Sequence, residues 1–190
     1  MRSPIVLFRV PALLLALACL APMAKLHAAQ PLDEAMAIAK VEAFFDALDI
    51  ETYASERFMA ELAPGFFIFE MGERFDAASF DAFITEAAKT IVETDWTFSD
   101  FEVELGHDLA HVAYLNHGRF VDAEGNLIYS EWMESVLVVM AEGDWKIKFL
   151  QSDLLSRWII APDGTRTDLY PVTAGEGAAD TTAHTASDSG

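Results

Sequence analysis

The chain has 190 residues, 53% of them hydrophobic, and a net charge of −19. That length fits one domain. Its fourteen Phe and four Trp can supply a core, each buried ring contributing about 1.5–3 kcal/mol relative to exposure. An acidic balance of this size opposes nucleic acid and anionic membrane surfaces, so neither partner is expected.

Arg2 and Arg9 form a basic start, Val10 to Ala21 is an apolar run broken by Pro11, and Ala24, Ala28 and Ala29 offer small residues for cleavage. This pattern predicts a secretory signal peptide over residues 1–28, too short for a stable membrane span, and so an exported protein, periplasmic or extracellular. A retained N-terminal anchor helix is the alternative. Three of the twelve basic residues and none of the 31 acidic ones lie there, which leaves nine against 31 afterwards, a balance of −22. Cys19, the only cysteine, falls in the same segment. The mature chain is therefore expected to lack disulfides, a thiol nucleophile and cysteine metal ligands. Ala16-Leu17-Ala18 before Cys19 matches a lipoprotein signal only loosely, so lipid anchoring there is the lesser reading.

Asp33 can cap a helix whose apolar face is Ile38, Val41, Phe44, Phe45 and Leu48. A short second helix is expected over Tyr53 to Leu62, then a turn at Pro64-Gly65. Phe66 to Glu70 reads as a strand and Met71-Gly72-Glu73 as a hairpin turn. Asp76 caps a third helix with Phe80, Phe83, Ile84 and Ala87 on one face. Four apolar-aromatic runs follow, Trp96 to Leu105, Leu109 to Val121, Leu127 to Met140 and Trp145 to Leu150, separated by short polar turns. Gly118 marks a candidate bulge or bend. Arg157 to Ile160 can extend the last strand or pack beneath the sheet, and Pro162-Asp163-Gly164 is a turn. Residues 172–190, poor in large apolar side chains, are expected to form a disordered acidic tail. Helices followed by a long meander predict an α+β fold, a cone-shaped curved antiparallel sheet on N-terminal helices.

This succession resembles the SnoaL-like branch of the nuclear transport factor 2-like superfamily. The more specific matches are Gly106-His107-Asp108-Leu109-Ala110-His111-Val112, Asp122-Ala123-Glu124-Gly125-Asn126 and Glu142-Gly143-Asp144-Trp145-Lys146-Ile147. The resemblance spans about Asp33 to Leu155 and places the domain at residues 33–160. It implies a cone with a pocket between the concave sheet face and the helices. It does not settle activity, because members include isomerases, dehydratases, cyclases and modules without catalysis. Related sequences often carry histidines four and six residues after that Trp and a serine at eight. Here those positions are Phe149, Gln151 and Asp153, so histidine chemistry is not carried over.

Trp145, Ile147, Phe149, Gln151 and Asp153 share one strand face if period two holds throughout. On a concave face, Asp153 is then a candidate proton acceptor, with Phe149 and Gln151 lining the pocket. On the preceding strand Tyr129, Glu131 and Met133 alternate with Ser130, Trp132 and Glu134, and either set can face inward. Trp132 offers an apolar wall and Glu134 a polar group beside it, while Tyr53 and Glu70 approach from the helix and hairpin side. By analogy with proton-transferring members of the resembled family, a Tyr53 or Tyr129 donor would pair with an Asp153, Glu70 or Glu134 base. His111 and His117 lie six residues apart on one strand, about 20 Å, and cannot share a metal. No metal and no cofactor is expected.

The leading expectation is an exported domain that binds a small, largely apolar molecule. A cofactor-independent isomerase or dehydratase using a pocket carboxylate, with Asp153 and Tyr53 catalytic, is the second. An envelope interaction module is the third. A homodimer is compatible with all three.

Overall fold

The computed structural model describes residues 31–170. The expected signal peptide over 1–28 and tail over 172–190 lie outside them. Helix α1 (Glu34–Asp46) starts where Asp33 accepts a hydrogen bond from the Met36 N–H at 2.8 Å, satisfying an otherwise unpaired first-turn donor. Its buried side Ala37, Val41, Phe44 and Phe45 follows the 3.6-residue period. The second helix is shorter than the sequence predicts. A 3-10 turn over Ile50–Thr52 precedes α2 (Ser55–Ala60), and Leu62 already begins strand β1 (Leu62–Glu70). Pro64-Gly65 is not a turn between elements. It is an irregularity inside β1, where the pairing register breaks between Leu62 and Phe67.

Met71 and Gly72, both with positive φ, reverse the chain into β2 (Glu73–Asp76), as tight hairpins require. Helix α3 (Ala77–Ala87) opens with a reciprocal cap between Asp76 and Ser79. Strands β3 (Ile91–Leu105), β4 (Leu109–Asp122), β5 (Leu127–Ala141) and β6 (Asp144–Ile160) form the meander. Strand β6 therefore runs through Arg157 to Ile160, and β7 (Arg166–Tyr170), absent from the sequence reading, returns along it. The sheet order is β2-β1-β6-β5-β4-β3, antiparallel except for the parallel β1–β6 pair. The sheet is curved and unclosed, with the helices on its concave face.

Register decides which side chains face the helices. On β4 and β5 the even-numbered residues point inward, as the buried Val112, Tyr114, Asn116, Ser130, Trp132, Glu134 and Val136 show. Strand β6 changes parity twice. Leu137 pairs with Phe149 but Val138 with Ile147, which leaves Lys148 as an extra residue. Glu131 pairs with Ser156 but Trp132 with Leu154, which leaves Leu155 extra. Ile147 is inward, Leu150, Ser152 and Leu154 are inward after the first bulge, and Arg157 is inward after the second. Each added residue flips every side chain that follows it. The Lys148 ammonium, at the first bulge, donates to the carbonyl oxygens of Pro64 and Gly65.

The lower cone is packed solid by Val41, Phe44, Phe58, Val112, Val136 and Ile147. The upper cone is open.

Candidate functional site

Between α1, α3 and the upper half of the sheet lies a cavity of about 260 Å³. Phe44, Phe45 and Leu48 reach it from α1, and Phe80, Phe83 and Ile84 from α3. Trp96, Phe120, Ile128 and Trp132 form the sheet side. Gly118 makes that wall possible. Its φ is ordinary and the register is regular there, so it is not the bulge the sequence suggests. A Cβ at Gly118 would meet the Phe120 ring at 2.8 Å and the Trp132 ring at 2.9 Å.

A polar row crosses the sheet at the base of this space. Tyr114, Glu134, Ser152 and Glu70 are successive partners on β4, β5, β6 and β1. Glu134 is only 5% exposed. Its Oε1 accepts from Ser152 Oγ at 2.8 Å and its Oε2 from Asn116 Nδ2 at 3.1 Å. The Tyr114 hydroxyl is turned toward the same carboxyl and favours its charged form, without making a hydrogen bond of good geometry. Burial nonetheless pushes the Glu134 carboxyl up to about 7. The three donors resist that rise, and the neighbouring Glu70 charge adds to it.

Glu70 is also raised, chiefly by burial, with Ser152, Arg157 and the Trp132 indole opposing the rise. Arg157 donates from Nε to Ser130 Oγ at 2.8 Å, and its guanidinium lies 5.8 Å from the Trp132 ring centre. Among the described residues lining the cavity, only Glu70, Glu134 and Arg157 are ionisable. The arrangement offers an apolar chamber with one deeply buried carboxyl poised between its two protonation states near neutral pH.

The residues singled out from sequence divide sharply. Trp132, Glu134 and Glu70 line the cavity together. Phe149, Gln151 and Asp153 do not, because the Lys148 bulge turns them to the opposite face. Phe149 packs there on Phe67, with ring centres 4.8 Å apart. Asp153 is exposed and accepts from Gln151 Nε2 at 3.2 Å. The expected common face from Trp145 to Asp153 is corrected accordingly. Tyr129 also lies outside, stacked on Trp158 with ring centres 5.2 Å apart. Tyr53 donates to Asp81 Oδ1 at 2.6 Å, away from the carboxyl row. Burial and that bond push its own ionisation upward. His111 and His117 both sit on the outer face of β4. Ser152 and Arg157 are site residues that the sequence reading misses. Asn116 shares the parity of Trp132 across the β4–β5 pair, but two bulges separate Ser152 and Arg157 from any simple alternation.

No family model and no characterised sequence matches the chain. Solved structures do. A candidate scytalone dehydratase from Novosphingobium aromaticivorans is similar at 12% identity and TM-score 0.55, over 74% of this chain and 93% of that one. An NTF2-like (nuclear transport factor 2-like) protein from Cytophaga hutchinsonii is similar at 14% identity and TM-score 0.53, over 65% and 99%. The chain adopts the NTF2-like fold. The CaMKII hub of S. rosetta shares it at 18% identity and TM-score 0.52, over 66% and 99%. The NTF2-like fold thus serves chains of different designations, and these identities carry the fold alone.

Proposed function

We propose that this is an exported SnoaL-like domain that binds a small, largely apolar molecule in its cone. The observation that carries the reading is the cavity of about 260 Å³, walled by aromatic and aliphatic side chains with few polar groups. Such a space is the default ligand site of a domain. The basic-apolar-small pattern of residues 1–28 supports export. The likeness to a hub domain supports self-association, with a homodimer as the simplest form. Native mass spectrometry of the mature protein from its exported compartment tests the binding reading. A reproducible extra mass per subunit is expected. A uniformly bare chain that also takes up no apolar probe in calorimetry rejects it.

Glu134 favours a second reading, cofactor-independent proton transfer of the isomerase or dehydratase type. A carboxyl held near 7 by burial can take and return a proton at neutral pH. In heavy water, an identified ligand incubated with the protein would exchange one activated C–H, and Glu134→Gln would stop the exchange. Exchange that persists in that variant removes Glu134 as the base.

A further inference from the structure

Ser152 and Asn116 each donate to Glu134, and the Tyr114 hydroxyl is turned toward it. Among the described residues, Asn116 Oδ1 at the base accepts no hydrogen bond, and the Trp96 and Trp132 indole N–H groups on the wall and the Tyr114 hydroxyl are likewise without one. Beside Glu134, the open Asn116 Oδ1 can accept one further N–H or O–H from a bound molecule.

Charge points the same way. Glu70 and Arg157 each favour the other's charged form, although burial still outweighs that help for both and no ion pair joins them. Among the described residues, no cation acts on Glu134 in this way. The groups that bear on it are Tyr114 and Asn116 from β4, Ser152 from β6 and Glu70 from β1. Helices α1 and α3 present only apolar side chains to this space. A buried carboxylate without a counter-ion is costly, and it is relieved either by a proton or by a cation. Phe44, Phe45, Phe120, Trp96 and Trp132 line the same chamber, and aromatic walls suit a cation better than an anion.

We infer that the molecule held in the cone carries a protonated amine on an apolar body, seated with its N–H groups toward Glu134 and Asn116 Oδ1. This rests on the binding reading above and narrows it to one head-group chemistry. A carboxylate head seated at the same depth would face the Glu134 charge directly. An alcohol would supply a single donor and leave the Glu134 charge unmatched.

Three probes with the same ring body test this: naphthylethylamine, naphthylethanol and naphthylacetate, titrated into the mature protein by calorimetry at about pH 8. The amine is expected to bind at least about tenfold tighter than the alcohol, with the acetate weakest. Amine affinity in the wild-type protein is expected to fall about tenfold or more between about pH 8 and pH 5.5, because a proton then competes for Glu134. That measurement needs no variant. In Glu134→Gln, with its fold checked by circular dichroism, the amine should lose its advantage over the alcohol. Equal binding of amine and alcohol, or tightest binding of the acetate, overturns the inference and leaves the apolar cone standing. Failure of all three probes to bind overturns both.

Discussion

Glu134 is the residue on which the upper cone turns. Its carboxyl ionises near 7 in the folded chain, against about 4.3 when unfolded. Between those two values the native state holds a proton that the unfolded state has released. Stability therefore falls as pH rises through that window and levels off above it. The carboxyl is fully buried, so little solvent screening applies. Two to three pH units of mismatch correspond to about 3 kcal/mol. Urea denaturation of wild type and Glu134→Gln from pH 5 to pH 8 reports this contribution together with its coupling to the neighbouring Glu70. The variant should gain on the wild type by about 2–3 kcal/mol across that range, and a constant gap would show that Glu134 titrates normally. Asp76, Asp122 and Asp163 are held below their ordinary values by local hydrogen bonds. Their stabilisation is lost only at lower pH, so they do not blur the comparison. Gly118 is the second sensitive point. Gly118→Ala must displace the Phe120 and Trp132 rings that sit against its missing side chain. A loss of about 1–3 kcal/mol is expected from such overpacking, together with weaker uptake of any cavity probe. An unchanged melting temperature would mean that the wall yields freely.

At the scale of elements, β6 decides what belongs to the site. Ser152 and Asp153 are neighbours in sequence and lie on opposite faces of the sheet. Ser152→Ala removes a donor 2.8 Å from a buried carboxylate and should cost about 1–3 kcal/mol at about pH 8, where Glu134 is ionised. Asp153→Asn touches an exposed side chain and should stay within about 0.5 kcal/mol of wild type. Equal losses in denaturation, or the reverse order, would contradict the register of β6. The same strand marks where sequence reasoning stops. Helix α1 was legible because Asp33 and the spacing of Val41, Phe44 and Phe45 are local signals. The meander was legible because its turns are polar and its runs apolar. Strand faces were not. Alternation carries Trp145 and Ile147 inward, but nothing in the string Lys148-Phe149-Leu150 announces an extra residue. The bulge is fixed by non-local bonds, from the Ile147 N–H to the Glu61 carbonyl and from Lys148 to Pro64 and Gly65. Trp132, Glu134 and Glu70 were accessible as candidates from composition and strand position. Ser152 and Arg157 required the register itself.

For the whole molecule the governing quantity is charge. After removal of residues 1–28, nine basic side chains would face 31 acidic ones. Several of those cations are already committed. Lys40 lies between Glu61 and Asp144, Arg119 pairs with Glu93, and Arg166 with Asp168. Such exposed pairs are individually worth about 1 kcal/mol or less, and most of the described carboxylates have none. The folded chain gathers this excess into a smaller volume than the unfolded chain does, so self-repulsion works against folding at low ionic strength. Salt shortens the range of that repulsion from about 30 Å at 0.01 M to about 3 Å at 1 M. The melting temperature at neutral pH should therefore climb by several degrees between about 0.02 M and 0.5 M sodium chloride, with most of the gain below about 0.15 M. Surface ion pairs would weaken over the same range and pull the other way. A melting temperature that falls with salt would mean that these pairs, rather than the uncompensated carboxylates, dominate the electrostatics of the fold. The Glu134→Gln variant should show the same salt response as wild type, because its charge is removed from a buried site that mobile ions do not reach.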